Sequence, residues 1–408
     1  MARCLVRSRG AAAALALVLL AVGGCSSAHP QPAGNQGDDN SMAPMPGMSG
    51  SVSPAQSGAA VTTLGDPLPG MPLPLDPHDL YAADRPNALS AAVRSDLPRV
   101  YVPNLGSNSV SVIDPATFQV IATVRVGDGP QHVVPSWDLR TLWVNNNVGN
   151  SVTPLDPATG GFGQPIAVDD PYNLYFTPDG RFAVVMAEAR HQIVFRDPHT
   201  LAVRNTVPVG CAGVNHADFS AGGRYFIASC EFSGDLIKVD VQKQQVVGQL
   251  HLPGRHPMPQ DVKISPDGRT WYVADMQSSG VWILDGDAFT QPGFLPTGAG
   301  AHGLYVSRDS KYLYISNRGE GSVSLLAFAS RTLVAKWRIP GGGSPDMGGL
   351  SADGTVLWLS GRYNAEVYAI DTTDGHLIAR IKVGVQPHGL CVWPQPGRYS
   401  LGHTGILR

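Results

Sequence analysis

Between residues 100 and 361 the chain repeats one short hydrophobic phrase seven times: an aliphatic or aromatic pair, a β-branched or aliphatic residue, then a small or polar stop. Val100-Tyr101-Val102-Pro103-Asn104, Leu142-Trp143-Val144-Asn145-Asn146 and Leu313-Tyr314-Ile315-Ser316-Asn317 are typical copies. The middle residues of the seven copies (102, 144, 185, 227, 273, 315, 359) lie 41 to 46 residues apart. Each copy is followed by a turn and a second alternating run, such as Asp235-Leu236-Ile237-Lys238-Val239-Asp240. A third run ends at a glycine. A fourth leads into a Pro-Asp-Gly turn, as in Ser265-Pro266-Asp267-Gly268. Asp-Gly between β-rich runs signals a hairpin, because such turns need positive φ. Four short strands per unit of about forty residues is the signature of a β-propeller blade, and one blade cannot bury both of its faces alone.

The pattern therefore predicts an all-β fold, a seven-bladed propeller of four-stranded blades. The first copy has no inner strand before it. The last inner run, His388-Gly389-Leu390-Cys391-Val392-Trp393, has no copy after it. The expected closure pairs this C-terminal strand into the first blade, which removes an exposed edge. An eight-bladed ring using residues 85–97 is the less favoured alternative.

The ends divide the chain further. Arg3, Arg7 and Arg9 precede an apolar run, Ala11 to Val22, too short for a membrane span. Val22-Gly23-Gly24-Cys25 looks like a bacterial lipobox, so residues 1–24 read as a lipoprotein signal and Cys25 as the lipidated residue. Such an anchor would hold the protein at the outer face of the bacterial cytoplasmic membrane or cell envelope. Residues 25–85 read as a disordered tether rich in Pro, Gly, Ser and Met. Residues 86–399 read as the propeller and residues 400–408 as a tail to which no activity is attached. Met42, Met45 and Met48 are weak candidates for Cu(I), against the simpler reading of a biased linker.

The net charge of −3 and the lack of a long basic run argue against a nucleic-acid partner. Cys211 and Cys230 flank one hairpin and could meet across its open end. Gly341-Gly342-Gly343-Ser344 lacks the strand–helix context of a phosphate loop. No Gly-x-Ser-x-Gly elbow or Cys-x-x-Cys-His haem attachment motif occurs.

The candidate chemistry lies at the starts of the inner strands, which share one mouth of the central channel. These positions read His388, His132, Asn173, His216, Asp261 (or Gln260), His302 and Asp346 (or Met347) in ring order. Imidazoles there could bind metal or haem iron. Alternatively, polar side chains at equivalent positions could satisfy one another or buried water. The repeats slip by one residue relative to one another, so sequence leaves open which side chains face inward. Slots far apart on the ring are expected to be too distant to share one ion. His78, Asp79 and His403 lie outside the repeats and read as surface residues.

Val100-Tyr101-Val102-Pro103-Asn104, Ser109-Val110-Ser111-Val112-Ile113-Asp114 and Ser265-Pro266-Asp267-Gly268 resemble the YVTN-type propellers, also called lactonase-like or cytochrome-d1-like. The likeness covers about 98–393. It implies the fold and leaves the activity open among three branches. The d1-haem branch implies a tetrapyrrole near channel-mouth histidines, for which His132, His216, His302 and His388 could be compared. The lactonase branch implies sugar-lactone hydrolysis, but no motif here carries its site. The YncE-like branch implies a surface or secreted binding module, and it fits the signal, tether and regular blades best. The expectation is thus a lipid-anchored module that binds an envelope protein or small molecule at the mouth, with no cofactor required. The alternative is a metal or tetrapyrrole protein, or a lactonase-like hydrolase.

Overall fold

The computed structural model describes residues 67–290 and 292–408. Cys25, Met42, Met45 and Met48 lie outside them. Seven antiparallel sheets follow one another along the chain, six of four strands and one of five. Blade 1 is built from Arg99–Asn104, Ser109–Asp114 and Gln119–Arg125, and Cys391–Trp393 supplies its inner strand. That strand pairs Trp393 with Arg99 and Cys391 with Tyr101, so the predicted closure is present. In blade 2, two short strands, Gly161–Phe162 and Ile166–Ala167, share the outer edge of Ser151–Asp156.

The repeated hydrophobic phrase is the second strand of each blade. Neighbouring blades sandwich it, so Val100, Tyr101 and Val102 are all buried, whichever face they point to. Between blades 3 and 4, Val184, Met186 and Phe195 pack with Phe219, Phe226 and Ala228. Outer strands are solvated, as Gln119–Arg125 shows along nearly its whole length. The polar stop has a structural role. Asn104 Nδ2 donates to the hydroxyls of Ser109 (3.2 Å) and Ser111 (3.0 Å), and Asn317 repeats this with Ser322 and Ser324 (3.0 Å each). Side-chain amides thus tie the second strand to the third in blades 1, 2 and 6, where Asn146 makes the same bonds to Ser151 and Thr153. At the opposite end, Ser265 Oγ accepts from Thr270 N (2.9 Å) and donates to Asp267, while Gly268 adopts φ +71°.

The expected tether extends too far: residues 67–85 are folded. Together with 86–97 they cross the face that carries the Pro-Asp-Gly turns. Leu68, Leu80 and Asn87 donate backbone hydrogen bonds to Gly222, Pro266 and Ala352. Leu68, Leu80 and Tyr81 are buried, and that apolar burial opposes the entropy of a free tether. Asp79, expected at the surface, is also buried and pairs with Arg85, whereas His78 is exposed. Among the described residues, 85–97 form turns and no eighth sheet. Cys211 and Cys230 form a disulfide across the open end of the blade 4 hairpin.

The tail at 400–408 is likewise no loose end. It folds back as a hairpin, with Ser400 bridged to Leu407, and enters the channel from the turn face. Phe176 N donates to Leu401 O (3.0 Å) and His403 N donates to Leu174 O (2.9 Å), so the hairpin adds to the inner strand Asn173–Phe176 of blade 3. Leu401, Ile406 and Leu407 are buried, worth about 1.5–3 kcal/mol each. Arg408 Nη2 reaches buried Asp218 at 3.1 Å.

Candidate functional site

Five inner strands carry a β-bulge near their start, between Pro130 and His132, Val214 and Ala217, Pro259 and Val262, Ala301 and Leu304, and Pro345 and Gly348. A bulge adds a residue without a partner and re-aims the side chains beside it. His216, Asp261, His302 and Asp346 sit in these bulges and His132 directly follows one, which is why the repeats slip in register. His388 lies just before Cys391–Trp393, anchored by its N–H to Pro103 O (3.1 Å).

Four histidines, three of them in or beside bulges and His388 ahead of its strand, point inward as a closed ring. Ring centroids are 5.7 Å apart for His132–His216, 6.0 Å for His216–His302, 5.7 Å for His302–His388 and 4.8 Å for His388–His132. All four are 2 % exposed or less, so they lie within the channel rather than at an open mouth. The expectation that distant slots cannot share an ion does not hold. One ring nitrogen from each of His132, His216 and His388 lies within 4.8 Å of the other two, because the axial channel is narrow.

Each of these three imidazoles is oriented by an acceptor at Nδ1. His132 Nδ1 donates to Tyr172 O (2.9 Å), His388 Nδ1 to Asp346 Oδ2 (2.7 Å) and His216 Nδ1 to Asn215 Oδ1 (3.1 Å). Asn215 Oδ1 also accepts from Ser229 Oγ (3.0 Å), and its Nδ2 donates to Glu231 (2.8 Å) and Glu188 (3.4 Å), which fixes the amide's orientation. With the ring proton on Nδ1, every Nε2 keeps its lone pair. His132 Nε2 and His216 Nε2 are buried without a hydrogen-bond partner, and His388 Nε2 lies 3.3 Å from the Tyr172 hydroxyl. Burial lowers His132 to about 4, and burial likewise holds His216 and His388 well below the usual histidine range. The rings are therefore neutral donors. An Nδ1–H fixed by a carbonyl or carboxylate, with a free Nε2, is the usual arrangement of a metal-ligating histidine.

Asp346 links this set to the rim. Its carboxylate is fully buried and contacts His388, His302 Nδ1 (3.1 Å) and Arg318 Nη1 (3.1 Å). Burial pushes this carboxyl up, but His302, Arg318 and Arg362 outweigh burial and hold it low. His302 Nδ1 also lies 3.1 Å from Met347 Sδ. Two other predicted residues face the tail instead. Asn173 Nδ2 donates to His403 Nδ1 (2.9 Å), and Asp261 Oδ1 is 3.8 Å from His403 Nε2. Burial raises Asp261 to about 6.

His403, read as a surface residue, is 1 % exposed, and its ring packs 5.3 Å from His132 and 5.2 Å from His216. The C-terminal hairpin forms the floor of the cluster. Gly402-His403-Thr404-Gly405 is the one sequence clue, since glycines flanking a short polar pair mark a tight turn. Tyr172 stands on the other side, its ring 5.4, 5.8 and 6.4 Å from His132, His216 and His388. Above it, Glu188 is raised to about 8 by burial and by Glu231 beside it.

Solved structures share the architecture. The chain is similar to hydrazine synthase of Kuenenia stuttgartiensis, at 21 % identity and TM-score 0.59 over 69 % of this chain and 94 % of that one. It is similar to the periplasmic gluconolactonase PpgL of Pseudomonas aeruginosa, at 19 % identity and TM-score 0.60 over 73 % and 99 % of the two chains. It is similar to the dihydro-heme d1 dehydrogenase NirN, solved with DHE, at 16 % identity and TM-score 0.56 over 78 % of each chain. At these identities the likeness concerns the fold. A search among curated proteins finds no match. Residues 78–396, nearly the whole described chain, match one family model, and the protein belongs to the YNCE-like β-propellers.

Proposed function

We propose that this propeller is an extracytoplasmic metal-binding protein, anchored through lipidated Cys25, that holds one transition-metal ion in its axial channel. The observation that carries the reading is the convergence of His132, His216 and His388, with two of their buried Nε2 atoms lacking any partner. A buried polar atom without a partner costs about 1–3 kcal/mol. A cation held by these ring nitrogens would recover that cost. Imidazole ligands suit Zn²⁺ and Cu²⁺. The tetrapyrrole alternative has less support: centroids 4.8–6.0 Å apart above a hairpin floor enclose a space suited to an ion rather than a macrocycle.

Full-length protein stripped by a chelator should take up one equivalent of Zn²⁺, with Co²⁺ as a visible-absorption probe. His132→Ala or His388→Ala should weaken binding by about a hundredfold or more, beyond what loss of a supporting hydrogen bond costs. Circular dichroism would confirm that the fold survives. No uptake by the wild type would remove the reading.

A further inference from the structure

Three neutral histidines leave a four-coordinate ion one ligand short, and its charge uncompensated. A divalent cation among residues 2 % exposed or less is costly unless an anion is close. Asp346 is already engaged by Arg318. The group that reaches the open side of the cluster is the phenol of Tyr172. Its ring faces all three histidines, and its backbone carbonyl is the acceptor that orients His132.

The hydroxyl position is informative. His388 Nδ1–H is held by Asp346, so His388 Nε2 can only accept, and Tyr172 OH is its donor at 3.3 Å. The phenol thus occupies the lone pair that an ion would use. Two ligand atoms each about 2.0–2.1 Å from an ion at the tetrahedral angle lie roughly 3.3–3.4 Å apart. The phenol oxygen already stands at that spacing from one proposed ligand. An ion entering between the rings must therefore displace this oxygen or bind it.

We propose that Tyr172 is the fourth ligand, completing a His132–His216–His388–Tyr172 set, a deepening that rests on the metal-binding reading above. On binding, the Tyr172 O–H bond breaks, its proton passes to solvent, and an oxygen–metal bond forms. One proton leaves per ion, and the phenolate cancels one of the two positive charges.

The test is titration of full-length wild type and Tyr172→Phe with Zn²⁺ and Cu²⁺. It reads stoichiometry, proton release in weakly buffered indicator dye, and the visible phenolate-to-Cu²⁺ charge-transfer band. Wild type should bind one ion, release one proton and show the band. Tyr172→Phe keeps the ring that packs on the histidines, so it should still bind one ion. It should lack the band and the proton, and its affinity should fall by at least about tenfold. An unchanged band, proton count and affinity in Tyr172→Phe would overturn the fourth ligand and leave the three-histidine site standing. Absence of binding to the wild type would overturn both.

Discussion

Replacing Asp346 by Asn tests the electrostatic centre of the channel. The substitution keeps shape and volume but removes the charge. The wild-type carboxylate, with no solvent exposure, accepts from His388 Nδ1 at 2.7 Å and faces both His302 Nδ1 and Arg318 Nη1 at 3.1 Å. An amide can offer its oxygen to only one side. Its NH₂ then opposes either Arg318 or a ring N–H, and the Arg318 side chain, 8 % exposed, is left without its counter-ion. Removing one partner of a buried pair costs about 3–5 kcal/mol. At roughly 2 °C per kcal/mol for a large domain, thermal melting should fall by at least about 6 °C at pH 7. The pH sign follows from the depressed pKa of Asp346. Its stabilisation is full above the unfolded-state value of about 3.9 and is lost as pH falls through the folded value. The gap between wild type and Asp346→Asn should therefore narrow in acid. Pairing the change with Arg318→Met removes the orphaned cation, so the double variant should recover most of the loss. A single-variant loss under about 1 kcal/mol, or simple additivity of Asp346→Asn and Arg318→Met, would refute the assignment of Asp346 as the anion that organises the channel.

Three further outcomes follow from other parts of the molecule. Gly402 has φ +98°, and an added Cβ would stand 2.5 Å from Leu174 O, so Gly402→Ala should undock the C-terminal hairpin and speed carboxypeptidase digestion; wild-type resistance would refute the hairpin's seat. Asp84 is buried, burial raises it to about 6, and its Oδ1 is unpaired. Its protonated form is favoured by folding, so its contribution is present below the unfolded value of about 3.9 and lost as pH rises through about 6. Asp84→Asn should thus gain on wild type between pH 4 and 7, and parallel melting curves across that range would contradict this. Replacing both Cys211 and Cys230 by Ala opens a loop of 19-residue separation and should cost about 3 kcal/mol in urea unfolding under oxidising conditions; no change in midpoint would show the bridge idle.

Much of the architecture is legible in sequence because it is local and repeated. The spacing of 41 to 46 residues, the alternation within each strand and the Asp-Gly turns specify blades, and the unpaired first and last runs specify closure. That Cys211 and Cys230 flank one hairpin is legible for the same reason, but the bridge between them is shown only by the structure. The inner-strand positions His132, His216, His302, His388 and Asp346 are also legible, as polar residues recurring where an apolar strand begins. Their orientation is not, because a one-residue bulge reverses a strand's face and bulges are set by contacts across the ring. Nor could sequence bring His132, His216 and His388 within 4.8 Å, a distance fixed only when seven blades close around a narrow axis. The places of His403 and of the docked segment 67–97 depend wholly on tertiary structure. Nothing periodic marks them, and their places come from filling a channel and a face that exist only once the ring has formed.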